Sequence, residues 1–98
     1  MIGHIRELVS SAIDGLIRKG TFELDEDIKI NIERTRDSSH GDYACNVAMV
    51  LVKKLKKPPR EIAQLIIEEL AESSHVKKTE IAGPGFINFF LTDACRMQ

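Results

Sequence analysis

The chain has 98 residues, enough for one compact domain with a modest core. Its 14 basic and 15 acidic side chains give a formal net charge of −1, so the overall charge argues neither for nor against a nucleic-acid partner. No apolar run approaches the roughly 20 residues that cross a bilayer, the start of the chain has no signal-peptide pattern, and the two cysteines lack disulfide or zinc-binding spacing. We therefore expect a cytoplasmic domain with no membrane partner and no metal site.

The first predicted elements are a helix and a strand. Within residues 2–19, apolar side chains recur at three- and four-residue steps, the pattern of a helix with one buried stripe. Gly20 follows a basic last turn and can take the left-handed conformation that ends helices. In the segment 28–33, three isoleucines alternate with polar residues, which predicts a strand with one buried face.

The middle of the chain predicts a loop and a second helix. Residues 34–42 are polar and rich in turn-forming residues. Asp42 then has the position of an N-cap for a helix over 43–55. On that helix, Tyr43 and Asn46 would lie one turn apart, where they could contact a ligand or pack the helix against a sheet, and we favour packing. The predicted inner face of this helix comprises five apolar residues: Ala44, Val47, Ala48, Leu51 and Val52.

A third helix and a β-hairpin are predicted in the last part of the chain. Proline cannot continue a helix but suits the first position of the next one, so Pro58-Pro59 predicts a stop followed by a helix over 59–72. Residues 76–82 and 86–91 then predict two strands. Between them, Gly83-Pro84-Gly85 places one rigid residue between two permissive ones, which is typical of a tight turn.

The order α, β, α, α, β, β predicts an α+β fold. It is a two-layer sandwich in which helices cover one face of a small, mostly antiparallel sheet. We expect residues 1–91 to form this domain. Thr92-Asp93-Ala94-Cys95 resembles the capped start of another helix, so residues 92–98 are expected to begin a connection to a further domain.

Catalytic signatures are absent from the sequence. It contains no GxSxG, P-loop, HExxH or Gly-rich dinucleotide fingerprint. His40 and Asp42 are the only pair that suggests acid–base chemistry, and adjacent turn residues of this kind more often cap backbone groups. We therefore predict no catalytic residue and no cofactor site in this chain.

The last strand predicts a binding surface. Because side chains alternate along a strand, three residues share the face expected to enter the core: Ile87, Phe89 and Leu91. Phe86, Asn88 and Phe90 share the outer face. Aromatic rings stack on unpaired RNA bases and amides hydrogen-bond to base edges, so RNA binding is one interpretation of this face. Packing against a helix or an adjoining domain is the other.

A basic link lies between the second and third predicted helices. It contains four lysines that could contact phosphates: Lys53, Lys54, Lys56 and Lys57. A solvated loop is the alternative, because charge runs of this length are often no more than that.

Three segments together resemble a known family. They are residues 41–49, residues 81–91 and the helix start Pro59-Arg60-Glu61, and they are similar to the N-terminal additional domain of arginyl-tRNA synthetases. The resemblance implies an α+β module that contacts the D-loop at the elbow of the arginine tRNA. It implies that the base contact falls on Phe86 and Asn88, and that the Gly-Asp-Tyr motif is mainly architectural.

The resemblance also implies what lies outside this chain. The parent enzyme attaches arginine to its tRNA with ATP, and magnesium is expected with the ATP, in a class I catalytic domain of the same parent chain. The signatures of that domain are absent, so no arginine or ATP site falls on any residue here. A freestanding RNA-binding or protein-interaction module of the same fold is the alternative.

Overall fold

The computed structural model describes residues 2–24 and 28–92. Three α-helices form one layer: α1 (Ile2–Arg18), α2 (Val47–Leu55) and α3 (Pro59–Glu69). Their apolar faces pack on one face of a β-sheet, as the predicted α+β two-layer sandwich requires. No helix in the described part of the chain is both long enough and apolar enough to cross a membrane.

The sheet has four antiparallel strands. In chain order they are β1 (Ile32–Arg34), β2 (Tyr43–Cys45), β3 (Val76–Ala82) and β4 (Phe86–Leu91). Their order in the sheet is β1-β2-β4-β3, so β4 lies inside the sheet and β3 forms one edge. The β3–β4 ladder has a register shift between Val76 and Lys78. The two strands of the hairpin have the bounds predicted from the sequence.

Helix α1 ends as its sequence predicts. Gly20 takes a positive φ of 78°, and its N–H donates to the carbonyl of Ile17 at 3.0 Å. The N–H of Thr21 reaches the carbonyl of Leu16 at 2.9 Å. These two bonds form a Schellman motif, which satisfies carbonyls that have no partner within the helix.

The first strand is shorter than predicted. β1 covers only Ile32–Arg34, whereas the sequence predicted a strand over 28–33. Ile28 and Ile30 are half-buried and pack against the core without joining the ladder. The alternation correctly predicted which side chains face the core. It could not predict the length of the ladder, because that length depends on the three-residue partner β2.

The predicted helix over 43–55 is wrong at its start. Residues 43–45 form strand β2, between β1 and β4, and α2 begins at Val47 with Asn46 as its N-cap residue. Ala44 therefore lies on a strand, and Tyr43 and Asn46 do not share a helix. Asp42 does not cap α2, because its carboxylate accepts a hydrogen bond from the N–H of Leu91 at 2.8 Å. A short apolar run before a helix fits both periods, which explains the error.

The remainder of α2 and α3 agrees with the sequence except at the end of α3. Val47, Ala48 and Leu51 are fully buried, as predicted. Pro59 occupies the first turn of α3. The helix ends at Glu69, short of the predicted residue 72, because Leu70 turns into an extended conformation with ψ 136°.

Candidate nucleic-acid interface

The outer face of β4 carries the three predicted contact residues. Phe86 is 38% exposed and Phe90 is half-buried, whereas the inward set Ile87, Phe89 and Leu91 is at most 5% exposed. The predicted division of the two faces is therefore correct for the core residues.

Asn88 is more buried than its place on the outer face predicts. Only 5% of it is exposed, although Ile87 and Phe89 on either side point into the core. The register explains this, because Asn88 lies between Ala44 of β2 and Glu80 of β3. Asn88 thus has neighbours on both strands as well as Phe86 and Phe90 along its own, and it is a confined amide in a central strand.

Phe86 and Phe90 differ in what covers their rings. The Nζ atom of Lys78 lies 4.5 Å from the centroid of the Phe90 ring, a cation–π contact, and is also 2.7 Å from a carboxylate oxygen of Glu80. One face of the Phe90 ring is therefore occupied by an ammonium group. Phe86 is the more accessible platform of the two. The sequence pattern does not indicate Lys78 as a neighbour of Phe90, because only the register places the two residues opposite each other.

The turn before Phe86 rests directly on the start of α3. A Cβ added to Gly85 would lie 2.7 Å from the Cβ of Pro59, so only glycine permits this approach. Nη1 of Arg60 donates a hydrogen bond to the carbonyl of Gly83 at 2.7 Å. Neither contact could be predicted from the sequence pattern, because each joins segments that only the fold brings together.

The packing of Pro59 on Gly85 also brings the basic link close to this turn. Lys53 and Lys54 are exposed in the last turn of α2. Lys56 is exposed in a left-handed conformation with φ 54°, and Lys57 is half-buried just before the prolines. Because Pro59 packs on Gly85, the end of the link and Phe86 lie at the same end of the domain.

The Gly-Asp-Tyr segment holds the other end of β4. Gly41 has φ 85°, and a Cβ there would lie 2.7 Å from the carbonyl oxygen of Phe89. The N–H of Asp42 donates to that same oxygen at 2.8 Å, while its carboxylate bonds to Leu91. The architectural interpretation of this motif agrees with these contacts, and the carboxylate of Asp42 serves the backbone of β4.

Two groups in the described part of the chain have shifted pKa values. Burial raises the pKa of the Cys45 thiol, which lies on the inner face of β2. Hydrogen bonds from Ser39 hold the pKa of the exposed Asp37 carboxyl below its usual value. Within residues 2–24 and 28–92, no group of three or more His, Cys, Asp or Glu side chains is placed to hold a metal ion.

Comparison with known proteins decides the family. The family model described as "Arginyl tRNA synthetase N terminal domain" matches residues 3–91. The chain belongs to this family. Curated relatives agree: the arginine–tRNA ligase of Shewanella piezotolerans is 52% identical over 93 residues, and that of Hydrogenovibrio crunogenus is 47% identical over 95 residues.

These relatives of the arginyl-tRNA synthetase domain are much longer than the chain. The two alignments cover 95% and 97% of this chain but 16% of each relative. Among solved structures, Thermus thermophilus arginyl-tRNA synthetase has a TM-score of 0.69 and 26% identity, and it covers 91% of this chain and 13% of its own. Arginyl-tRNA synthetase from Plasmodium falciparum shares the fold, with a TM-score of 0.66 and 21% identity, over 92% of this chain and 16% of its own.

Proposed function

We propose that this domain binds the arginine tRNA of its parent synthetase at the D-loop, with Phe86 stacking on a base and Asn88 bonding to the edge of a base. The observation that carries the proposal is the exposed Phe86 ring beside the confined Asn88 amide, at the end of the domain that also holds the basic link. Membership in the synthetase N-terminal domain family supports a tRNA as the ligand.

Phe86 supplies affinity in this proposal. A phenylalanine that is 38% exposed leaves apolar surface in water, which a stacked base would cover. Stacking of a base on an aromatic side chain contributes roughly 1–3 kcal/mol, measured by alanine substitution. Phe90 is a secondary candidate, because Lys78 covers part of its ring.

Asn88 supplies selectivity. An amide offers both donors and acceptors, so it distinguishes bases by the pattern on their edges. Confinement between Ala44 and Glu80 restricts its rotamers before any ligand binds. A pre-positioned amide of this kind loses little conformational entropy on binding, which favours discrimination over bulk affinity.

The lysines of the basic link, Lys53, Lys54, Lys56 and Lys57, supply the electrostatic part of the proposal. Contacts between lysines and phosphates carry no sequence information but fix the orientation of the nucleic acid. The left-handed conformation of Lys56 ends α2, and its N–H donates to the carbonyl of Val52 at 2.8 Å. Glycine or asparagine usually takes this helix-ending position, and a lysine there is mildly strained.

The rest of the reaction belongs to the parent chain in this proposal. Residues 1–91 form the tRNA-binding domain and residues 92–98 begin the connection to a class I catalytic domain, which binds arginine, ATP and magnesium. Residues 93–98 lie outside the described part of the chain, so the predicted helix start at 92–95 remains a prediction. The expected location is the cytoplasm, where the charged tRNA is used.

Aminoacylation by the full-length enzyme tests this function. Because a lost stacking contact weakens tRNA binding, Phe86→Ala should lower kcat/KM for tRNA by a factor of about ten to a hundred. The KM values for arginine and ATP should stay unchanged. Asn88→Ala should instead reduce the discrimination among tRNAs whose D-loop bases are substituted one at a time. Normal charging kinetics in folded Phe86→Ala protein would reject the proposal and favour a protein partner for this face.

A further inference from the structure

The side chain of Arg60 links α3 to the turn before Phe86. It is the second residue of α3, and its guanidinium donates to the carbonyl of Gly83 at 2.7 Å. An arginine donor makes this bond stronger than one between neutral groups. Gly83 has a positive φ of 55°, a conformation that other residues adopt with strain.

The Phe86 ring in turn lies close to Gly83. The position of a Cβ on Gly83 would be 3.5 Å from Cδ2 of Phe86, which is ordinary van der Waals contact. Phe86 also pairs with Ala82 across the hairpin. The carbonyl oxygen of Gly83 therefore contacts the Arg60 guanidinium, and the Cα of Gly83 lies near the Phe86 ring.

We propose that Arg60 is a positioning residue for tRNA recognition: by holding the Gly83 carbonyl, it fixes the Gly-Pro-Gly turn and the orientation of the Phe86 ring. The inference rests on the proposed function, because it names how the platform is kept in place. Arg60 acts through Phe86 and does not need to touch the tRNA.

The reason such a support is needed lies in the turn itself. Gly83 and Pro84 are exposed. As a glycine, Gly83 can adopt more backbone conformations than any other residue type could at this position. A mobile turn would let the Phe86 ring sample several orientations, and binding would then have to restrict them. Two contacts from α3 prevent this, the Arg60 hydrogen bond and the packing of Pro59 on Gly85.

Kinetics of the full-length synthetase test the proposal first. Arg60→Met keeps an apolar stem but removes every donor, so KM for tRNA should rise roughly three- to tenfold while kcat changes little. Arg60→Lys keeps a positively charged donor group and should restore most of the loss. Arg6→Met is the matched control, because Arg6 also donates to a backbone carbonyl, that of Ile30 at 3.4 Å, but lies on α1. It should leave KM for tRNA unchanged.

A double-mutant cycle separates positioning from direct phosphate binding. If Arg60 acts through Phe86, Arg60→Met should have little further effect in a Phe86→Ala background. The same rise in KM with and without Phe86 would overturn the proposal, because it would mean that the exposed guanidinium contacts the tRNA by itself.

A spectroscopic measurement without tRNA tests the positioning role of Arg60 separately from the proposed tRNA-binding function. In the full-length enzyme carrying 4-fluorophenylalanine at position 86, Arg60→Met should shift or broaden the ¹⁹F resonance, and Arg6→Met should not. An unchanged resonance in Arg60→Met would refute positioning. A changed resonance together with normal tRNA kinetics in Phe86→Ala would instead leave positioning intact and reject the D-loop function.

Discussion

The two ends of β4 are held in different ways. At its last residues, Phe89 is fully buried, and Asp42 binds the backbone of both Phe89 and Leu91. At its first residue, Phe86 is 38% exposed, and the turn before it is supported by Pro59 and Arg60. One strand thus carries core packing at one end and the proposed recognition surface at the other.

Along the six residues of β4, this difference places residues that stabilise the fold at one end and the residue proposed to bind tRNA at the other. Substitutions at the buried end should change the free energy of unfolding, because they create cavities or leave backbone groups unpaired. Substitutions at the exposed end should change tRNA use with little effect on folding. The predictions below test that separation, beginning with the largest expected effect.

Phe89→Ala should be the most destabilising change. Truncation of a fully buried phenylalanine removes its contacts and leaves a cavity, which costs about 3–5 kcal/mol of unfolding free energy. Phe86→Ala is the matched control and should cost clearly less, about 1 kcal/mol, because 38% of Phe86 is already exposed. Urea unfolding of the 98-residue chain followed by circular dichroism measures both. Equal destabilisation by the two variants would place Phe86 in the core and break the comparison.

Asp42→Ala should have the next largest effect on stability. It removes the 2.8 Å hydrogen bond from the N–H of Leu91 and should lower the unfolding free energy by about 1–3 kcal/mol. Asp42→Asn keeps an acceptor oxygen and should lose less. Asp37→Ala is the control, because the Asp37 carboxylate also accepts a backbone N–H, from Ser39 at 2.9 Å, but within its own exposed turn. A larger loss in Asp37→Ala than in Asp42→Ala would contradict the role given to Asp42.

Neutralising the basic link should have a smaller effect, visible mainly as a salt dependence. A variant with all four lysines of the link changed to glutamine should bind every tRNA more weakly, and the dependence of log K on log salt should flatten by about one counterion per lost phosphate contact. The charge-matched control changes four exposed cations outside the link to glutamine: Arg18, Lys29, Arg34 and Arg36. If both variants flatten the slope equally, the link has no special part in binding.

The parts that could be predicted from the sequence are those that depend on nearby residues. The β3–β4 hairpin was predicted with its observed bounds, because the turn residues and the two strands adjoin one another. Strand β2 could not be predicted in this way. It exists because β1 and β4 flank it, and Asp42, the residue just before it, is bonded to a residue 49 positions further along the chain.

In the candidate site too, nearby residues predicted some features, and long-range pairing determines the others. Alternation predicted the positions of Phe86 and Asn88 on the outer face, but the burial of Asn88 depends on Ala44, which belongs to the strand that was predicted as helix. Arg60 could not be singled out as a support for the turn, because its partner Gly83 is 23 positions away. Long-range pairings of this kind depend on the whole fold rather than on local pattern.

The register shift in β3 has a consequence for self-association. β3 is an edge strand, and a regular edge offers unpaired backbone groups on which another chain can add a strand, the first step toward aggregation. Here the ladder is irregular between Val76 and Lys78, and the edge carries the charged side chains of Lys77, Lys78 and Glu80. A strand from a second copy would meet an interrupted template lined with charged side chains, so this edge resists growth of the sheet beyond four strands.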